Sequence, residues 1–310
     1  MNEPLFMGID GGGSTLRVAI VNADLNELSM WTGESVNPSI VGRGVARERI
    51  QAGVLEALQL ADLHHERLAA VGIGIAGASD LHSRQWLIET ANSALPLSQA
   101  VPSSDLEIAL VGALAQRHGL LLLAGTGSAA YVRRPDGKRL QVGGWGYLLG
   151  DEGSSFWIGS QLLRHFTATY DSGAEAAMTA TGRACLDHLC LSRARDLVAW
   201  AYRSEAAPAA RIASLAPFVL DLAETGDTVA IDIVSRAAKH LTNLAETARR
   251  RLAYRDAPIA FAGGLLENTN WLSAEVLRRL GLPKRPVAKS PPVKGAALLA
   301  KMEWSARRCQ

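Results

Sequence analysis

Two stretches of this chain repeat one pattern: a short apolar run, a turn of glycines and hydroxyl residues, and a second apolar run. The first joins Phe6–Asp10 (FMGID) through Gly11-Gly12-Gly13-Ser14-Thr15 to Arg17–Val21 (RVAIV). The second joins Leu120–Leu123 through Ala124-Gly125-Thr126-Gly127-Ser128 to a run ending at Val132. Glycines at such turns let the backbone bend and let a ligand approach the N–H groups with no Cβ in the way. A further turn at 22–26 and an apolar run at 28–33 make the start of the chain an antiparallel meander, not the strand–loop–helix of a P-loop. The pattern G-x-x-x-x-G-K-[ST] is absent, and no G-x-G-x-x-G opens a helix at this turn. Two such hairpins facing one another across a cleft would offer N–H groups to a triphosphate from both sides. Asp10, closing the first run, is placed to meet a hydrated Mg²⁺, which prefers a carboxylate or two plus phosphates and water.

The second turn opens the densest motif region, Leu121 to Gly159. Asp136-Gly137 reads as a hairpin turn, Gly143-Gly144-Trp145-Gly146 as a second glycine loop, and Gly150-Asp151-Glu152-Gly153-Ser154-Ser155 as the start of a helix. Taken alone, Trp145 is equally a core residue. Pro258–Ala262 is a buried strand ending in the pair Gly263-Gly264, which could admit a nucleoside close to the backbone, with Asn268 shortly after.

Between these markers the chain is ordinary. At 310 residues it is long enough for two domains, and 48% hydrophobic with 20% charged residues is the balance of a soluble globular protein. A net charge of +2 gives no case for nucleic acid, and no apolar run approaches the length of a membrane helix. The amino terminus enters an apolar run at once, which predicts no leader. The cysteines, Cys185, Cys190 and Cys309, are odd in number and make no disulfide framework, which points to a reducing, cytoplasmic setting. Cys185, His188 and Cys190 lack zinc-knuckle spacing, and His64, His65 and His82 read as surface residues.

Helical periodicity predicts a helix over 45–60, with Val45, Ile50, Val54, Leu55 and Leu58 inward, and another over 229–252, with Ile233, Val234, Ala237, Leu241, Leu244, Ala248 and Leu252 on one face after a cap-like Thr225-Gly226-Asp227. Val71–Gly77 is a buried strand. Asp105 stands before a helix over 106–116, where it can cap the first turn and equally be a catalytic carboxylate. A proline-rich crossing at 282–294 leads to a short, Ala-rich final helix over 295–302.

At these residues the sequence resembles the N-acetylglucosamine kinase branch of the BadF/BadG/BcrA/BcrD ATPase family, within the actin–hexokinase–Hsp70 superfamily. The carriers are GIDGGGST (8–15), the Asp105 region, LAGTGS (123–128), GGWGYLLGDEGSSFWIG (143–159), FAGG (261–264) and PPVKGAALLA (291–300). The resemblance implies an α/β fold of two RNase H-like (actin-like ATPase) domains around a nucleotide cleft, the second enlarged by helices. The first domain would span 1–112, with the last helix, 293–304, packing back on it, and the second 113–292. It implies ATP and Mg²⁺ as cofactors. Gly12, Gly13, Ser14 and Thr15 would contact phosphates, with Asp10 at the metal and Gly125, Thr126 and Gly127 on the other side. Gly263, Gly264 and Asn268 would line the adenosine pocket. Asn37, Gly144, Trp145 and Asp151 fall on sugar-binding positions and Asp105 on the catalytic base. Ser14 stands where the family commonly has Thr, and Ala129 where eukaryotic relatives have Asn after GTGS.

The implied reaction is ATP-dependent phosphorylation of an amino sugar, the 6-hydroxyl of N-acetylglucosamine, with domain closure excluding water. Asp105 would act as an ordinary carboxylate, ionised at neutral pH. Glucosamine is the alternative acceptor, since Asp151 suits an ammonium as well. An ATPase that activates a reductase or dehydratase would need cluster-binding cysteines in a motif not found here, and zinc-containing ROK kinases a cysteine-rich motif also missing. The partners expected are a small sugar and a second copy in a homodimer, with neither nucleic acid nor membrane.

Overall fold

The computed structural model describes residues 3–13, 15–78, 81–95, 99–173, 179–203 and 208–308, apart from the side chains at 81 and 82. The chain divides into two compact units, Met1–Gly119 with Arg133–Lys138 and Val287–Gln310, and Leu120–Val132 with Arg139–Pro286. The first unit begins with β1 (Leu5–Gly11), β2 (Thr15–Val21), β3 (Glu27–Glu34), α1 (Pro38–Val41), α2 (Arg43–Leu60), β4 (Leu68–Ile75), α3 (Leu81–Ala94), β5 (Gln99–Ser103) and α4 (Asp105–Leu114). There follow β6 (Gly119–Ala124), β7 (Ser128–Arg133), β8 (Arg139–Gly143), α5 (Ser155–Asp171), α6 (Ala180–His188), α7 (Asp196–Ala201), α8 (Pro208–Ala213), α9 (Ala216–Glu224), α10 (Thr228–Arg251), β9 (Ile259–Ala262), α11 (Gly264–Glu267) and α12 (Trp271–Arg279). The chain returns to the first unit in α13 (Pro292–Arg308).

The sheet of the first unit runs β3-β2-β1-β4-β5. The meander β1–β2–β3 is antiparallel as expected, and β4 and β5 extend it in parallel. β5 was not anticipated: it carries Pro102, which cannot donate to a ladder and is accommodated because β5 is an edge. All seven residues of β1 are buried, as befits a central strand covered on both faces. Met7 and Ile9 pack with Ile50, Val54 and Leu87 under α2 and α3; Phe6 packs with Ile108, Val111 and Leu299 under α4 and α13. Phe6, Gly8 and Asp10 therefore share the α4–α13 face, because side chains alternate along a strand.

Glycines set how closely α13 lies on that face. Gly8 and Gly72 are partners in the β1–β4 ladder. A Cβ on Gly8 would run into the Val293 carbonyl, and one on Gly72 into the Ala296 carbonyl. The helix is longer than expected: it starts at Pro292, an imino acid suited to the first helical position, and continues to Arg308. The apolar face of α2 also differs from the expected one. Val45 and Leu55 are exposed, while Ala46, Ile50, Gly53, Val54, Ala57 and Leu58 are buried. The Trp31 ring of β3 decides this, since a Cβ on Gly53 would stand 2.6 Å from it; only a small-residue stripe fits there.

The sheet of the second unit runs β8-β7-β6-β9, with β6 and β9 parallel. Between β7 and β8 the Arg134 N–H donates to the Lys138 carbonyl (2.8 Å), and Gly137 takes φ +87°, the turn expected at Asp136-Gly137. α10 begins where the cap signal placed it: the Asp227 carboxylate accepts from the Ala230 N–H. Its buried stripe, Ile233, Val234, Ala237, Leu241 and Ala248, joins Leu120 and Leu122 of β6 and Ile158 and Leu162 of α5, with Leu244 and Leu252 at the margin. No described helix is long and apolar enough to cross a membrane.

Candidate active site

In the first unit the glycine turn after β1 is closed by the Gly12 N–H donating to the Thr15 carbonyl at 2.9 Å. Gly13 has nothing within 4 Å of where a Cβ would stand, and Gly12 only the Thr15 carbonyl oxygen at 3.6 Å. Ser14 lies outside the described residues. Asp10 is 7% exposed and stands opposite Arg17 of β2, whose Nη1 is 3.9 Å from Asp10 Oδ2. Burial pushes the Asp10 carboxyl up to about 6; Arg17 opposes the shift and Asp105 adds to it.

Asp105 reaches Asp10's surroundings through a third glycine. Gly74 of β4 is the ladder partner of Asp10, and a Cβ there would be 2.8 Å from the Ser104 carbonyl oxygen. The start of α4 is thus pressed onto the strand beside Asp10, on the same face. Asp105 is not the cap of this helix. Ser104 holds that place, its extended backbone (φ −95°, ψ 159°) aiming Oγ at the Glu107 N–H, 3.1 Å away. As the first helical residue, Asp105 folds its carboxylate onto the N–H groups of Asp105 and Leu106, which lower its pKa, while burial, the larger effect, raises it. It is therefore not the ordinary carboxylate expected from sequence. Asn37 is spoken for in part: it caps α1, its Oδ1 accepting from the Ser39 N–H at 3.0 Å.

In the second unit the Gly125 N–H donates to the Gly127 carbonyl (2.9 Å), and the Gly125 carbonyl accepts from the Ser155 N–H (2.8 Å). Nothing lies within 4 Å of a Cβ built on Gly125. Gly127 is different: a Cβ would be 2.6 Å from Asp151 Oδ2. Asp151 precedes α5, whose cap is Ser154, accepting from the Trp157 N–H. Asp151 itself takes a left-handed φ of +62°, uncommon for a non-glycine residue, and turns its carboxylate inward. It is 8% exposed, and its Oδ1 is buried with no hydrogen-bond partner. Burial raises its pKa against the lowering effect of the Ser128 and Gly146 N–H groups.

Gly144, at φ +73°, donates its N–H to the Ser128 carbonyl at 2.9 Å. Trp145 is 72% exposed, so the core reading of this residue fails. It sits between Gly143, Gly144 and Gly146, all at positive φ, in a loop that also exposes Tyr147, Leu148 and Leu149.

A cavity of about 480 Å³ opens in this unit. Gly125, Thr126, Ser155, Gly264 and Asn268 line it, together with Ser214, Pro217, Leu220, Asp221 and Glu224 from α9 and the turn before it. Asn268 Nδ2 donates to the Gly264 carbonyl at 2.9 Å. Gly263 and Gly127 are not among the lining residues. Gly263 (φ +86°) instead lets β9 pass tightly by the end of β6, where a Cβ would meet the Ala124 carbonyl. The residues from 214 to 224 were not anticipated, because no sequence spacing links a helical insertion to a glycine turn forty residues on.

Among the described residues no three His, Cys, Asp or Glu side chains form a metal-holding group. Cys185 is buried, its thiol pushed up to about 11; Cys190 is exposed, and the His188 ring stacks on Phe218 with centroids 4.2 Å apart.

Known proteins share this architecture over nearly its full length. The chain is 31% identical to an N-acetylmuramic acid/N-acetylglucosamine kinase of Clostridium acetobutylicum, covering 96% of this chain and 98% of that one. It is 28% identical to an N-acetyl-D-glucosamine kinase of Dictyostelium discoideum, covering 97% and 98%. A crystal structure of a Chromobacterium violaceum protein, assigned provisionally as an N-acetylglucosamine kinase, superposes with a TM-score of 0.74 at 28% identity, over 96% of this chain and 99% of that one. The model of one family matches residues 7–300. The chain belongs to the BadF/BadG/BcrA/BcrD ATPase family.

Proposed function

We propose that the protein transfers the γ-phosphoryl group of ATP to the 6-hydroxyl of N-acetylglucosamine, giving N-acetylglucosamine 6-phosphate and ADP. The observation that carries this reading is a desolvated Asp105 carboxylate on the same sheet face as Asp10, beside the glycine turn that follows β1. The names of the relatives supply the sugar class.

Phosphoryl transfer passes through a loose transition state, so positioning and charge neutralisation contribute most. Asp105 accepts a hydrogen bond from the attacking hydroxyl, aligns it and takes its proton late. Burial raises its pKa above that of a free carboxylate, which makes it a stronger base toward that proton. With the Gly12 and Gly125 N–H groups closing the two turns, the remaining N–H groups of those turns, at Gly13 and at Thr126 and Gly127, are offered to phosphate oxygens. The cavity lined by Thr126, Gly264 and Asn268 takes the nucleoside, with Gly263 shaping the turn behind it. A divalent cation fits Asp10, whose buried carboxylate has, among the described residues, only a distant Arg17 for counter-charge; Mg²⁺ held there with the triphosphate would neutralise the charge that develops on transfer.

For the sugar, Asp151 Oδ1 is an acceptor waiting for a hydroxyl or an acetamide N–H. Asn37, with Oδ1 engaged, offers its Nδ2 donors, and Gly144 and Trp145 flank the sugar. The cytoplasmic setting and a homodimer belong to the same proposal.

Phosphorus NMR of the product tests the position of transfer. A 6-phosphate is coupled to two equivalent-type methylene protons and gives a triplet. A doublet, from a ring-carbon ester, or inorganic phosphate alone would refute the assignment.

A further inference from the structure

Two residues beyond Asp105, Glu107 is 1% exposed. Its backbone N–H is held by the Ser104 cap. Its carboxylate accepts from Arg117 Nε at 2.8 Å and Ser103 Oγ at 3.0 Å, and Arg133 Nη1 lies 3.3 Å away. Arg117 also pairs with Glu303 of α13. The first turn of α4 is thus tied to the end of β5, to the α4–β6 loop, to the hairpin tip and to α13. These partners hold the Glu107 carboxyl below the usual carboxylate range despite its burial, whereas Asp105 in the same turn is raised.

A network like this is not what core packing alone would favour. Leu106, Ile108 and Leu110 already bury α4, and an apolar side chain at 107 would avoid desolvating a charge, which well-paired ions seldom more than offset. What a satisfied buried network adds is a single arrangement of the backbone that carries it. We propose that Glu107 is a positioning residue for phosphoryl transfer: with Ser103, Arg117 and Arg133 it locks the first turn of α4 and so holds the Asp105 carboxylate in one orientation toward the acceptor hydroxyl. This rests on Asp105 being the base.

The test is steady-state kinetics on Glu107→Gln, Asp105→Asn and the double variant. Gln keeps the size and the Ser103 hydrogen bond but loses the charge. Misplacing a reacting group by about 1 Å costs on the order of 100-fold, so Glu107→Gln should lower kcat by about 10- to 100-fold, with KM for ATP and sugar within about twofold. In the Asp105→Asn background the same change should cost less than about twofold, because the effect passes through a base already removed. A kcat within twofold of wild type for Glu107→Gln, or an undiminished loss in the double variant, overturns the proposal. Near-normal turnover of Asp105→Asn alone overturns the base assignment, and this inference with it. If Glu107→Gln fails to fold, Glu303→Gln loosens Arg117 from its outer, part-exposed side. It should show a loss of kcat of about two- to fivefold that vanishes in the Asp105→Asn background; no loss there overturns the proposal equally.

Discussion

Asp10 and Arg17 stand directly opposite each other in the β1–β2 ladder, yet their charged atoms are 3.9 Å apart. That is too far for a hydrogen bond. Arg17 therefore offsets only part of the cost of burying Asp10, whose pKa remains at about 6 against 3.8 for the free group.

The sign of the consequence follows from linkage. A raised folded-state pKa means the folded protein favours the protonated form. The associated stability is fully present below pH 3.8 and is lost as pH rises through 6. At pH 7.5 the ionised Asp10 should cost the protein without nucleotide about 3 kcal/mol. Asp10→Asn should raise the melting temperature at pH 7.5, by an amount that shrinks below pH 6 and vanishes near pH 4, while abolishing phosphoryl transfer. Thermal unfolding of both proteins across that range checks this; an equal gain at every pH would contradict it.

Asp105→Asn should lower kcat by roughly 10²–10⁴ while calorimetry finds ATP binding within a few-fold of wild type. Because burial raises the Asp105 carboxyl, the acid limb of the wild-type rate profile should lie above the ordinary carboxylate range. The rate falls as pH drops through it, since the base must be ionised to accept a proton.

Asp151→Asn replaces an unpartnered acceptor by an amide and should raise KM for the sugar by about 10- to 100-fold, the cost of one hydrogen bond to a charged group. KM for ATP should hardly change. Gly127→Ala should act in the same direction, because its methyl would stand 2.6 Å from Asp151 Oδ2. An unchanged sugar KM in both variants would remove Asp151 from the sugar site.

Gly72→Ala should destabilise the protein by about 2–3 kcal/mol, because its methyl collides with backbone of α13 rather than with a movable side chain. Gly44→Ala is the matching control. It lies in α2 with nothing within 4 Å of a Cβ, so it should be neutral or stabilise by up to about 1 kcal/mol. Urea unfolding of the pair measures both.

What could be read in advance was local. Asp10 and the turn glycines announce themselves by short-range pattern, and α10 by its period and its Asp227 cap. Features set by distant neighbours were not legible. The Ser104-x-x-Glu107 spacing does signal that Ser104, not Asp105, is the cap, but the missing Cβ of Gly74 that lets the helix start settle on β4 shows only in the fold. The inward face of α2 was misjudged because Trp31, on another strand, selects small residues over Val45 and Leu55. The charge at Glu107 gave no hint of burial, since its partners lie at 103, 117 and 133. The α9 side of the cavity beside Gly264 likewise exists only once the helical insertion has folded.

The most direct test of the central claim is ADP release from Mg·ATP in the presence of N-acetylglucosamine, N-acetylmuramic acid, glucosamine, glucose or no sugar. The account predicts strong stimulation by N-acetylglucosamine, weak stimulation by glucose, and a low rate without sugar. ADP release that ignores every sugar would contradict it.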